Sequence, residues 1–570
     1  MKLRYLKICI IVALNFPAII VFSQTLPVGT PVLEDYYRRL QITGKFDSTA
    51  SFTTRPLFSE AIGKNKNIFD PEGTLKNEGW TSTPALNFAR NLGLFQILPV
   101  TIQQQFNSDH PYGWNDGLMI PAKGYQTMLS AGIFVKFGLL SIQLRPEFVY
   151  ASNPIFNGFA SLGRNNGDLQ NYYTYHNLID QPERIGSNNY HKASFGQSSI
   201  RLTLGAISAG LSSENLWWGP GIRNSLIMSN NAAGFNHVTL NTVKPVHTII
   251  GSFEGQAIGG LLNATGQPSL AITNDPAGDY LPVSKPQGAR YWTGINLSYQ
   301  PKWLPGLFLG FTRTFNAYRS DVKKLKDYVP FLLAFQKSSL NNGTGDEIPR
   351  DQQTSFYARW VLPKAKAEIY FEYGLNDNSY NYHDFLADPQ HSRAYIFGFR
   401  KILTTNSIKN EGIMFSGEIT QLSQSPDYLI RSASGWYIHY QVTDGQTNEG
   451  QILGAGTGSG GNLQSMDVSW VMGVKKVGLT FERYEHDVDY AIGYGHFLPV
   501  SGHSRNWVDF AFGIGGDWNY KNLLFNAKIQ AIKSLNYEWV LKDYNPVNSY
   551  YIPHNDIFNL HTEVGVTYRF

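Results

Sequence analysis

Leu560-His561-Thr562-Glu563-Val564-Gly565-Val566-Thr567-Tyr568-Arg569-Phe570 decides the fold. Side chains alternate along a strand with a period of two. Leu560, Thr562, Val564, Val566, Tyr568 and Phe570 therefore share one face, and His561, Glu563, Gly565, Thr567 and Arg569 the other. An apolar, aromatic-edged face backed by a polar one and ending on Phe suits the closing strand of a transmembrane β-barrel, lipid on one side and lumen on the other. Tyr568 and Phe570 are read as the membrane insertion signal. The partners this implies are a barrel-assembly machinery and outer-membrane lipid.

The other end predicts the same address. Lys2, Arg4 and Lys7 precede an apolar run over 8–22, and a small residue, Ser23, precedes Gln24. That is the pattern of a secretory signal peptide over 1–23. Residues 24–90 differ from the rest of the mature chain: Leu33, Tyr36, Tyr37 and Leu40 recur at helical spacing, so 31–41 reads as a short amphipathic helix. This segment is placed in the periplasm or in the mouth of the barrel. Residues 91–570 form the barrel.

Period-two patterning starts near Leu94 and predicts about 18 antiparallel strands. They cover 94–105, 125–136, 138–150, 198–204, 207–212, 236–244, 247–261, 290–300 and 307–316. The rest cover 353–362, 367–376, 393–403, 412–423, 465–474, 477–486, 506–519, 522–535 and 559–570. Counting back from Phe570, the tight turns fall on one side and the long segments on the other, as short periplasmic turns and long extracellular loops require. The parity holds only if 436–443, also strand-like, stays out of the membrane.

Composition excludes other classes. Aromatics are 14% of the chain, while mean hydropathy is slightly negative. Alternating lipid-facing and lumen-facing residues with interfacial aromatic girdles give that average. Setting aside the three basic residues of the leader leaves 44 Lys and Arg against 43 Asp and Glu, which argues against a nucleic-acid partner. Cys9 is the single cysteine and lies in the leader, so neither a disulfide nor a thiolate metal site is expected in the mature chain. No serine sits in a Gly-x-Ser-x-Gly elbow, and His486, Asp487 and Asp489 lack a metal-ligand spacing. The expectation is a non-enzyme without cofactor or metal.

The densest unusual stretch is 211–244. Trp217 and Trp218 precede Gly219-Pro220-Gly221, with Arg223, Asn224, Asn230 and Asn231 close behind. Flat aromatic faces beside a few directional polar groups suit a saccharide, whose ring faces are apolar and whose hydroxyls hydrogen-bond. On residue type alone, the same tryptophans suit packing in the lumen or the aromatic girdle better. Trp436, Tyr437 and His439 form a second aromatic-polar cluster, leading into a Gly-rich run over 450–461 read as a flexible loop. Tyr537, Trp539, Tyr544, Tyr550 and Tyr551 form a third strip, and Lys323, Lys324 and Lys326 a basic cluster. Arg201, Arg313, Arg359, Glu368, Glu372, Glu418, Glu482 and Lys528 lie on strands, where they either line a pore or pair and fill it.

Glu214-Asn215-Leu216-Trp217-Trp218-Gly219-Pro220-Gly221 followed by Ser225-Leu226-Ile227-Met228-Ser229-Asn230-Asn231 resembles the signature of the capsule-assembly Wzi family. Weaker marks, over 117–124 and 141–147, are similar to its longer Bacteroidetes-type members. The resemblance implies an 18-stranded outer-membrane barrel, helical elements on the periplasmic side, and a lectin that holds exported capsular polysaccharide without catalysis. The alternative, an outer-membrane channel for saccharides or small solutes, stays open at this point.

Overall fold

Alternation along each segment builds the wall observed in the computed structural model. It describes residues 24–570 except 47–48, 63–66, 74, 76–84, 91, 163, 273–284, 287, 333–347, 377–381, 425–434, 494–505 and 540–555. The leader, and Tyr544, Tyr550 and Tyr551 of the third aromatic strip, lie outside the described residues.

Eighteen antiparallel strands form one closed sheet. They are β1 Gly93–Asn107, β2 Gly124–Phe137, β3 Leu140–Leu144 with Glu147–Ala151, β4 Tyr190–Ser194 with Ser199–Leu204, β5 Ile207–Ser212 and β6 His237–Thr242. Then come β7 Gly251–Leu262, β8 Arg290–Pro301, β9 Leu307–Tyr318, β10 Asp351–Leu362, β11 Ala367–Asn376 and β12 Arg393–Asn406. The last are β13 Glu411–Gln421, β14 Asn462–Met472, β15 Lys475–Glu485, β16 Val508–Tyr520, β17 Leu523–Leu535 and β18 Ile557–Tyr568. β18 closes on β1, from Tyr568 opposite Val100 to His561 opposite Asn107. Each predicted strand corresponds to one of these, and 436–443 is not a strand. Closure leaves the wall without a free edge.

The faces follow the alternation. On β4, Ile200, Leu202 and Leu204 point outward while Arg201 and Thr203 are buried inside. On β18, Phe558 and Val564 are exposed and His561 is buried, as is Arg569 just beyond the strand. The outward band is apolar, the requirement for a wall in hydrocarbon. β3 breaks at Arg145-Pro146, where proline cannot donate to the ladder. β4 breaks opposite it, where Gly196 takes φ +55° and a Cβ would press on the Arg145 carbonyl.

The lumen is filled by the chain's own N-terminal segment. Helix α1, Pro31–Ile42, starts with Pro in its first turn, carries Glu34 near its N-terminus and Arg39 in its last turn, and ends at Gly44 with φ +72°. Asp35 and Arg39 pair along it at 2.7 Å. It lies at the short-turn end, where Arg39 Nη1 donates to Gly473 O between β14 and β15. Beyond the helix, Thr54-Arg55 pairs as a short antiparallel bridge with Trp217-Trp218 deep in the barrel.

Charges hold the segment from several sides. Glu368 accepts from Arg38 of α1 and from Arg359 of β10, both at 2.7 Å, and Glu368 and Arg359 are fully buried. Arg359 also donates to Gln41 Oε1 and to Ser51 O. Asp35 pairs with Arg400 of β12 at 2.9 Å, and Glu254 of β7 accepts from Ser51 N–H at 2.6 Å. Near the start, Thr25 and Arg201 both donate to Glu214. Of the charged strand residues, Arg201, Arg359, Glu368, Glu482 and Lys528 thus each face an opposite charge inside the barrel, and the N-terminal segment takes up the space between them. Among the described residues, no helix is long and apolar enough to cross a membrane.

Candidate functional site

Three long loops turn inward above the N-terminal segment and pack on one another: 108–123, 213–236 and 435–461. The middle loop carries the Trp-Trp-Gly-Pro-Gly stretch. Trp217 is 4% exposed and lies under the Arg55 guanidinium, 4.2 Å from its ring centre. Trp218 is fully buried, donates Nε1–H to Gln256 of β7 at 2.8 Å and leans on Trp292 of β8 at 5.6 Å. The two tryptophans are therefore interior packing and not an exposed platform. A residue type that stacks on sugars also fills a core, and here Arg55, far away in the sequence, takes the face of Trp217.

The turn after the tryptophans is fixed by a carboxylate. Glu418 of β13 accepts from the backbone N–H groups of Ile222, Arg223 and Asn224 at 2.7, 3.1 and 2.8 Å, and from Tyr370 Oη–H at 2.8 Å. Successive N–H groups converging on one anion form a nest. Gly219 takes φ +123°, and a Cβ there would meet Glu372 and Ser225. Sequence reading placed Glu418 on a strand, but its role has no local signal, because its donors on the turn are nearly 200 residues away.

The polar candidates act as staples. Asn230 donates to Asn115 O at 2.7 Å and accepts from Asn215 at 2.8 Å. Asn231 donates to Ile452 O at 2.9 Å, and Asn224 Oδ1 accepts from Gly456 N–H at 3.2 Å. Arg223 pairs with Glu482 of β15. Tyr437 donates to Leu226 O at 2.7 Å and accepts from Ala455 N–H at 2.8 Å, while Trp436 donates to Ser392 O at 3.0 Å. Every candidate but His439 is thus drawn into one interior assembly. His439 lies at its edge, turned back on the N–H groups of Gln441 and Val442.

The Gly-rich run differs from its sequence reading. Gly454 to Gly461 is mostly buried, not a loop free to reach outward. A Cβ at Gly454 would collide with the Leu226 carbonyl and the Tyr437 ring, and one at Gly456 with Trp114. Glycine is there for close approach of backbone, not for mobility. Tyr537 and Trp539 are likewise buried, in an aromatic cluster with Tyr490 and Trp507.

Inside the barrel, a cavity of about 430 Å³ lies between α1, the loops and the wall. Trp217, Arg223 and Asn230 line it, with Arg145, Glu147 and Lys528 from the wall. On the outside, Tyr440, which follows the second cluster in the chain, faces solvent, 69% exposed and stacked on His439 at 5.0 Å with a 24° tilt.

A second set of carboxyls ties the loops together near the outer end. Asp487 accepts from Tyr175 Oη–H and Tyr490 N–H, each at 3.0 Å, and Asp489 accepts from Gln424 N–H at 2.7 Å. Burial pushes the Asp489 carboxyl up from 3.8 to about 7 against the pull of the Gln424 N–H and Arg393, and raises Asp487 in the same direction. Folded Asp489 thus holds a proton that the open form releases near pH 4, so its contribution to the stability of the latch falls as pH rises from about 4 to 7 and then levels off, and Asp487 acts with the same sign. Backbone amides over 455–461 and 486–493 are expected to exchange several-fold faster at pH 8 than at pH 5.5, after correction for intrinsic rates. Asp489→Asn, which keeps an acceptor for Gln424, should reduce the difference, both by removing its own titration and by taking a charge from beside Asp487. Equal pH dependence in both proteins would mean that Asp489 is not the group responsible.

The family model described as capsule assembly protein Wzi matches residues 124–537, more than half of the chain. Among solved structures, the Escherichia coli outer-membrane protein Wzi, described as a carbohydrate-binding β-barrel involved in group 1 capsule assembly, is similar over 96% of this chain and 100% of that one. The TM-score is 0.60 at 12% identity. Acinetobacter baumannii OccAB2 is similar over 83% of this chain and 97% of that one, with a TM-score of 0.40 at 11% identity, too low to bear on function. No curated protein matches the sequence.

Proposed function

The chain belongs to the Wzi capsule-assembly family, and from that premise we propose that it binds exported capsular polysaccharide and attaches it to the cell surface without catalysis. It is an outer-membrane barrel, and its long loops face outward. The observation that carries the reading is the filled lumen: α1, residues 51–58 and three infolded loops occupy the space a solute would need. A barrel so filled presents a surface rather than a conduit.

In this reading α1 marks the periplasmic side, and residues 24–90 form the segment that enters the barrel from there. The nine candidate residues serve mainly by position. Trp217, Trp218, Arg223, Asn224, Asn230 and Asn231 set the height of the middle loop, and Trp436, Tyr437 and His439 set that of the next. Tyr440 with His439 behind it supplies an aromatic face to a sugar ring. Each contact with a polymer is weak, but repeated units keep the next sugar at high effective concentration, so retention comes from many such contacts.

The test is a deletion strain in which cell-bound and shed polysaccharide are measured separately. Polymer made in normal amount but recovered in the medium supports attachment. An unchanged cell-bound layer overturns it, and a stable single-channel conductance of the purified barrel would then favour the channel.

A further inference from the structure

The wall is uneven. β5 and β6 are six residues long and β4 is interrupted over 195–198, whereas β7 to β10 run to twelve. The outer flank recedes there and leaves a groove of about 620 Å³. Leu144, Phe195, Ile200, Leu211 and Val238 line it with their side chains outward, and Phe195, Ile200, Leu211 and Val238 are each more than half exposed. The groove runs up the long-loop half of the strands, because 195–200 opens the lower piece of β4, 211 ends β5 and 238 begins β6. It faces the outer leaflet.

A basic rim crosses its upper end. Residues 319–328 fold down onto the flank: Arg319 N–H donates to Ala289 O at 3.0 Å, and Tyr291 Oη–H donates to Tyr328 O at 3.0 Å with the rings 5.1 Å apart. Arg319 and Tyr328 line the groove itself. Lys323, Lys324 and Lys326 are exposed in the same short segment. Its acid Asp327 is buried and turned back to accept from the N–H groups of Lys323 and Lys324 at 3.1 and 2.8 Å, so the acid does not face the rim. Asp321 is partly buried. Cations are therefore gathered above an apolar slot.

We infer that this flank binds a phosphorylated, acylated glycolipid of the outer leaflet, its acyl chain in the groove and its phosphate on Arg319 and Lys323. An acyl chain alone leaves the rim unanswered, and a free anion leaves the slot unanswered; one molecule that joins both chemistries satisfies the two halves. Arginine suits the position next to the slot, since its stem packs on apolar surface while its fork meets phosphate oxygens. The polysaccharide reading is not needed for this inference, and neither depends on the other.

The test uses the full-length barrel in detergent, titrated with lipid A, with dephosphorylated lipid A and with phosphatidylglycerol, read by native mass spectrometry. Lipid A should bind to the wild type with about one tightly held copy. Arg319→Ala/Lys323→Ala should weaken it at least tenfold while the barrel's thermal midpoint stays put, because both side chains are exposed. Val238→Trp, which fills the slot without adding charge, should weaken it as well. Equal binding of dephosphorylated lipid A or phosphatidylglycerol overturns the inference, as does unchanged lipid A binding in both variants.

Discussion

Trp218→Ala is expected to cost about 3–5 kcal/mol of stability, the range for removing a fully buried large aromatic side chain. Its indole is enclosed on every side. It leans on Trp292 and donates to Gln256, and a Cβ added at Gly294 would come within 3.1 Å of its ring. The backbone at Trp218 also bridges, donating to Met228 O at 3.0 Å and pairing with Thr54 of the N-terminal segment. Alanine leaves a cavity and takes the indole donor from Gln256, so the middle loop and the segment below it should loosen together. The measurement is thermal unfolding in detergent with limited proteolysis. Trp218→Phe should recover much of the loss, since most of the volume returns and one hydrogen bond does not. A Trp218→Ala barrel with wild-type midpoint and cleavage pattern would show that the interior packing around it contributes little.

Glu368→Ala should be comparably severe for a different reason. The carboxylate stands between Arg38 and Arg359, accepting from each at 2.7 Å, with no exposure of its own. Its loss leaves two buried guanidinium groups facing each other, and removing one partner of a buried pair costs about 3–5 kcal/mol. The wall can tolerate this better than α1 can, because β10 and β11 are held by ten register pairs while α1 depends on such contacts. Residues 24–58 should become cleavable from the short-turn side and ion leakage through the barrel should rise. Arg38→Ala should do less: Arg359 keeps Glu368 as well as Gln41 and Ser51. Identical behaviour of the two variants would refute the central role given to Glu368.

The strands were legible because their signal is local. Lipid on one side and lumen on the other impose alternation residue by residue, as in Leu202 out and Arg201 in, so each segment announces itself. The placement of 436–443 came from parity alone. The interior was not legible for the opposite reason. Trp217 and Trp218 carry the same chemistry whether they meet a sugar or Arg55, and only the three-dimensional path of the chain decides. The charged strand residues allowed a lined pore or a filled one; partners such as Glu214 for Arg201 and Gln41 for Arg359 settle it. In the Gly-rich run, mobility and close packing ask for the same residue. The collision of a Cβ at Gly456 with Trp114 has no trace in the sequence around either one.

The direction of the strands has a mechanical consequence. Drag on the outer loops pulls along the strand axes, and an antiparallel ladder pulled that way is loaded in shear. Drag on the long connection from β17 to β18 loads the ladder between β16 and β17, where thirteen register pairs would have to give way together, not one after another as in peeling. Radial ties such as Arg359 to Ser51 and Asn296 to Thr54 carry the same tension into the segment that fills the lumen, and through it to other strands. A tug on a single loop is therefore shared by the whole cylinder.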